Sequence, residues 1–198
     1  MSKGLAAMLA AAVGLGLAGC GERPDPSSAG GARTSEAVVT EPATGLIWLR
    51  CALGQQWQAG HCAGEARMLS QFDAQQRIEE LNAERHQGID RWRLPSIVEL
   101  AGLRHCDHGL TQDTFTLDLM AEQAPVVLPR WCAQDTRIPT IDTARFPDTP
   151  AVKFWSHSGS ERQQTAYAVN FGNAWIGLNE DSESLYAVRP VADPAPRR

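Results

Sequence analysis

Trp155-Ser156-His157-Ser158 sets an imidazole between two hydroxyls, the residue types of a nucleophilic hydrolase. The spacing opposes that chemistry. Neighbours in an extended strand point to opposite faces, so His157 turns away from both serines and can activate neither. No Gly-x-Ser-x-Gly elbow occurs, and no catalytic residue is assigned. Asn179-Glu180-Asp181-Ser182-Glu183-Ser184 is an acidic stretch. Asn179, Asp181 and Glu183 carry the oxygen ligands that calcium takes, and a solvated turn is the plainer reading. No other cofactor is implied. Six tryptophans are present. Trp57, Trp131 and Trp175 are less constrained, and Trp131 and Trp175 are candidate stacking platforms for a sugar ring or a partner chain.

The cysteines point to an oxidising compartment. Met1 to Gly19 has one lysine, Lys3, and then a small apolar run that is short for a membrane span. It ends Leu17-Ala18-Gly19-Cys20, which resembles the lipobox of bacterial lipoproteins. The resemblance implies cleavage before Cys20 and acylation of its sulfur. Several chains on one residue make a stable membrane anchor, since each buried CH₂ contributes about 0.8 kcal/mol. Gly21 follows where an inner-membrane retention signal has Asp, so the expected site is the bacterial envelope at the outer membrane. Of five cysteines four then remain, an even count that reads as disulfides. Three pairings are possible, and Cys51–Cys62 with Cys106–Cys132 is favoured because each closes a local loop. Zinc is the rival, because His61 adjoins Cys62 while His105 and His108 flank Cys106. No Cys-x-x-Cys spacing supports it.

Residues 20–38 hold the anchor and a Gly-, Pro- and Ser-rich stretch that cannot bury enough apolar area to fold. As a flexible tether it reaches about 25 Å. Residues 39–191 are the size of one domain, and 192–198 read as a frayed tail. Once Lys3 leaves with the signal, 17 basic residues against 23 acidic give a net charge of −6. That excludes a nucleic-acid binder and opposes broad attraction to sulfated polysaccharides.

Several elements must position these residues. Thr44-Gly45-Leu46-Ile47-Trp48 reads as a turn into a strand. Ser70-x-x-Asp73 reads as a capping box opening a helix to about Arg85, with Leu69, Phe72, Ile78 and Leu81 inward. In Trp92-Arg93-Leu94-Pro95-Ser96, Pro95 holds Leu94 extended. Ser96-x-x-Glu99 then caps a helix whose apolar face is Ile97, Leu100 and Leu103. Arg93 lies between large apolar residues, and a covered guanidinium needs a partner. Glu99 is that expected structural partner; the alternative is an anion-binding Arg93. Pro125, Pro129, Pro139 and Pro147, with Pro150 just after, make 109–149 mostly loop, where function often sits, with one short helix at 116–124. Tyr167, Val169 and Phe171 alternate as a strand. Gly172-Asn173 is a two-residue turn into Ala174–Gly177, and Leu185 to Val191 is a last strand beside the first.

In order, Thr44–Trp48, Leu81-Asn82, Trp92–Ser96 with Glu99-Leu100, Phe146-Pro147-Asp148-Thr149-Pro150, Phe154-Trp155-Ser156 and Val188-Arg189-Pro190-Val191 resemble the Lcl C-terminal domain family. The likeness covers about Thr44 to Val191, and it implies that Trp48, Trp92 and Trp155, which lie in its core motifs, are buried. It implies an α+β, C-type-lectin-like fold related to formylglycine-generating enzymes: two helices on a small twisted, mostly antiparallel sheet, with long loops and here disulfide braces. A glycosaminoglycan-binding adhesin of the family is basic where this chain is acidic, so that ligand is not implied. Formylglycine-generating relatives use a reactive cysteine pair, whereas all four cysteines here have disulfide partners in prospect. The expected function is non-enzymatic: a lipid-anchored envelope domain binding a glycan or a protein. The alternatives are an accessory lipoprotein with a protein partner only, and an enzyme of the related fold.

Overall fold

The computed structural model describes residues 35–117, 119, 125–159, 166–178 and 184–195. Cys20 and the acidic stretch with Asn179, Asp181 and Glu183 lie outside the described residues, as does most of the helix expected at 116–124. The described elements belong to one compact unit, Thr34–Arg198.

The first strand, β1 (Val38–Thr40), returns through Gly45 (φ 75°) into β2 (Ile47–Leu49), with Val39 opposite Trp48. A hairpin of β3 (Gln56–Gln58) and β4 (His61–Ala63) follows. Helix α1 is Gln71–Ala83, β5 is Trp92–Arg93 and α2 is Ile97–Gly102. Then come β6 (Thr114–Leu117), β7 (Val126–Pro129), β8 (Lys153–Gly159), β9 (Ala166–Asn170), β10 (Trp175–Leu178) and β11 (Val191–Ala192). Strands β1-β2-β11-β5 form one sheet and β10-β9-β8 another, while β3-β4 and β6-β7 stand as two-stranded hairpins. Every named ladder is antiparallel. The protein is therefore a small α+β fold with several antiparallel sheets.

The sheet of β8, β9 and β10 is covered on both faces, which is why β9 and β10 are apolar at nearly every position and β8 buries two serines beside Phe154 and Trp155. Phe154, Val169, Tyr167 and Ile176 pack on one side with Ile97 and Leu100 of α2. Trp155, Ala166 and Ala168 pack on the other with Ile78 and Leu81 of α1 and Trp92 of β5. Trp48, Trp92 and Trp155 are buried, as the sequence implies. Ser96 and Glu99 complete the expected box at α2. At α1 the box is half made: Ser70 Oγ accepts from the Asp73 N–H, and the Asp73 carboxylate takes the Ser70 hydroxyl instead of a backbone N–H.

Several expectations are corrected. Phe72 is exposed, at 72%. The buried side of α1 is Ala74, Ile78 and Leu81, and Phe72 lies nine residues before Leu81, on the opposite side of a helix with 3.6 residues per turn. Thr114–Leu117 is a strand and not the start of a helix, its alternating Thr-Phe-Thr-Leu pairing with the Val-rich β7. The region expected as mostly loop thus holds a hairpin. The link from β9 to β10 has four residues, not two: the Phe171 N–H leaves β9 for the Val152 carbonyl, and Ala174 takes φ 60° before Trp175. The last strand does lie beside β2, but the ladder is only Val191 and Ala192. Ala192, expected in the tail, is fully buried.

Candidate functional site

The stretch rich in proline is tied down at several points. Cys106 and Cys132 are bonded, with Cα atoms 5.6 Å apart, and Leu110 bridges to Cys132. Asp107 Oδ1 takes a hydrogen bond from Arg137 Nη2 at 2.7 Å, and its Oδ2 takes the Arg137 backbone N–H at 3.0 Å. These bonds hold the Asp107 carboxyl well below the usual carboxylate range. The Asp107 N–H in turn donates to Thr136 Oγ1. The segment from Cys132 to Arg137 is therefore pinned against the Cys106 turn.

Arg104 joins this segment to the β9–β10 link. It follows α2, and its Nη1 donates to the carbonyls of Pro129 and Ala174, both at 2.9 Å. Burial pushes its pKa down to about 10, so it stays charged at neutral pH. The clamp brings Trp131, two residues past Pro129, near Asn173, one residue before Ala174. Between them is a cleft of about 400 Å³, lined by Trp131, Gln134, Asp135, Thr136, Ile138 and Asn173 among others. Trp131 is 43% exposed and Ile138 65%. An indole beside amide, hydroxyl and carboxylate groups can stack on an apolar ring face while the polar groups orient it.

Trp175 is in a different setting. It is half-buried, and its indole lies over Gly177, where a Cβ would collide with it. Lys153 Nζ stands 5.2 Å from its ring and hydrogen-bonds the Tyr186 hydroxyl at 3.2 Å. Trp131 and Trp175 therefore do not share the cleft described above.

Ser156 and Ser158 are buried and His157 is exposed, the alternation that a strand imposes. Both hydroxyls serve the fold: Ser156 Oγ donates to the Tyr167 carbonyl at 2.7 Å, and Ser158 Oγ accepts the Ile97 N–H at 2.9 Å. Cys51 and Cys62 are bonded, with Cα atoms 5.4 Å apart. With all four sulfurs tied to one another, none is left to ligate zinc beside His61, His105 or His108. Among the described residues no group of three or more His, Cys, Asp or Glu is placed to hold a metal ion.

Arg93 is paired with Glu99 by two bonds of 2.8 Å. A partner in the expected tail was missed: Asp193 takes two more, at 2.7 and 3.2 Å. Arg189, in Val188–Val191, is fully buried among carbonyls. It donates to Leu49 O at 2.9 Å, to Arg50 O and to Thr149 Oγ1 at 2.8 Å, and it lies over the Phe146 and Phe154 rings. A second, larger cleft of about 520 Å³ lies at β3 and was also missed, because its walls come from three distant stretches near residues 35, 55 and 86.

The pieces quoted from the sequence thus meet in space: Val191 pairs with Trp48 and with Arg93, and Arg189 bonds Thr149 and the end of β2. No curated protein and no solved structure matches the chain. A family model described as the Lcl C-terminal domain matches residues 37–192, from the edge of β1 to the end of β11. That span is most of the chain, and the protein belongs to the Lcl C-terminal domain family.

Proposed function

We propose that this is a non-enzymatic recognition domain of the bacterial envelope, held to the outer membrane through acylated Cys20, which binds a glycan or a protein at the Trp131 cleft. We take its fold as C-type-lectin-like, since two helices pack on small antiparallel sheets and the ends of the domain meet where β11 joins β2. The observation that carries the reading is Trp131. A large apolar ring left 43% exposed, on a segment fixed by a disulfide and an ion pair, is preorganised for contact. Gln134, Asp135 and Asn173 add hydrogen-bonding groups suited to hydroxyls. The same stretch also exposes Leu110, Val127 and Ile138, which favours the second reading, an accessory lipoprotein that docks a protein and takes no sugar.

The test is a glycan array probed with the chain from Gly21 onward, with and without calcium, beside the Trp131→Ala variant. The first reading expects binding that the variant loses. Calcium-dependent binding that Trp131→Ala leaves intact would move the site to the acidic stretch with Asn179, Asp181 and Glu183. No binding across the array would leave the accessory reading.

A further inference from the structure

Strand β3 pairs with β4 on one edge and, among the described residues, has no strand on the other. The hairpin turns through two residues, Ala59 (φ 47°) and Gly60 (φ 94°), between the opposed Gln58 and His61. Such a turn closes on a pair that exchanges both main-chain bonds, so the next pair, Trp57 and Cys62, points its N–H and C=O groups out of the ladder. Cys62 displays that geometry, donating its N–H outward to Asp148 Oδ2 at 2.8 Å. The Trp57 N–H and C=O point the opposite way, and neither has a partner among the described residues.

Trp57 also lines the cleft of about 520 Å³, which takes residues from β3 and none from β4. Its lining includes Trp57 of β3, the apolar Leu49, Leu53 and Leu81, and His86 with Gln87. The His86–Gln87 lining is held in an uncommon backbone shape, with Arg85 (φ 49°) and Gln87 (φ 56°) both left-handed and the His86 carbonyl bonded to Trp92 Nε1 at 3.0 Å. Non-glycine residues hold that shape at a cost of about 1 kcal/mol or more each. The cleft has little net charge. Its cation, Arg77, is paired with Glu80 at 2.7 Å and Glu84 at 3.4 Å, and burial pushes the His86 imidazole towards its neutral form.

We propose that this cleft binds an uncharged, extended polypeptide segment, which adds to the open edge of β3 by pairing with the main chain of Trp57 and sets an apolar side chain on Leu49, Leu53 and Leu81. Bond directions choose the occupant. An extended residue shows its N–H and C=O on one side, matching Trp57. The trans amide of an acetamido sugar shows them on opposite sides and can meet only one of the two groups. A charged strand would lose hydration, and Arg77, the cation that lines the cleft, is already paired. The site shares no lining residue with the Trp131 cleft and does not depend on the reading of that cleft.

The experiment uses the full chain in lipid nanodiscs and a positional-scanning library of hexapeptides, N-acetylated and C-amidated, with binding read by fluorescence anisotropy. The selected peptide is then remade with each residue N-methylated in turn. N-methylation of the pairing residue is expected to weaken binding about tenfold or more. Trp57→Pro removes an N–H that no described strand uses, at an edge that tolerates proline, and is expected to weaken binding about as much. Trp57→Phe keeps that N–H and is expected to stay within about threefold of the parent. If Trp57→Pro unfolds, the N-methyl series on the parent chain decides alone. The proposal is overturned if no library member binds below about 1 mM, if N-methylation is silent at every position, or if N,N′,N″-triacetylchitotriose displaces the selected peptide.

Discussion

Glu99 Oε2 stands 2.8 Å from Arg93 Nη1 and also accepts the Ser96 N–H at 2.7 Å, so one carboxylate closes an ion pair and caps a helix. Burial alone would raise the Glu99 pKa; the hydrogen bonds from Arg93 and Ser96 outweigh it and hold the carboxyl below its usual value. Asp193 is likewise held low by Arg93. Carboxyls depressed in the fold stabilise it above their unfolded pKa of about 4, and that contribution is lost as pH falls through the folded values. Glu99→Gln is expected to cost about 1–2 kcal/mol at pH 7, less than a fully buried pair because both side chains are partly exposed. Urea unfolding at pH 7, 5 and 3 checks it: the gap between parent and variant should narrow in acid. An equal gap at all three values would show that the charge contributes nothing.

Arg104 reaches from the end of α2 to Pro129 and Ala174, the carbonyls that bracket the Trp131 cleft. Lysine has one point of contact where the guanidinium spans two. Arg104→Lys is therefore expected to cost about 1–3 kcal/mol and to raise the exposure of Trp131. Iodide quenching of tryptophan fluorescence, referenced to Trp131→Phe, reads that exposure. A variant that loses stability while quenching stays constant would separate Arg104 from the geometry of the cleft.

The reach of sequence reading follows from range. The Ser96 box and the Arg93–Glu99 pair were legible because three to six residues separate the partners and each has few other options. The burial of Trp48, Trp92 and Trp155 was legible from the family motifs that hold them; the arginines on both sides of Trp92 would not have shown it. Phe72 was misread because hydrophobicity was weighed before its angle around α1. The β6–β7 hairpin was hidden by prolines: Pro129 ends β7 at its last pair with Thr114, a place where proline does no harm. Asp193 lay past the expected end of the domain. The clamp by Arg104 and the open edge at Trp57 join stretches tens of residues apart, and no local pattern announces them.

Arg189 is fully buried with no carboxylate among its bonded partners in the described residues, and burial pushes its pKa down to about 9. It is still charged at neutral pH, sustained by three oxygens and two ring faces. Those oxygens lose their donor if it is cut away, and an unsatisfied buried acceptor costs about 1–3 kcal/mol. Arg189→Met keeps much of the volume and leaves Leu49 O, Arg50 O and Thr149 Oγ1 short of donors. It is expected to cost about 3 kcal/mol or more, read by urea unfolding of the oxidised protein. A loss below about 1 kcal/mol would mean that the desolvated charge nearly cancels its bonds.

The serines beside His157 separate a structural from a chemical role. Ser158 Oγ takes the Ile97 N–H, one of the first amides of α2 that no helical carbonyl can reach. Ser158→Ala leaves that buried N–H unpaired and should cost about 1–3 kcal/mol. His157 is exposed and should tolerate alanine within about 0.5 kcal/mol. Thermal unfolding of both variants gives the comparison. If Ser158→Ala is neutral and His157→Ala destabilising, the strand faces the other way and the case for two purely structural hydroxyls falls.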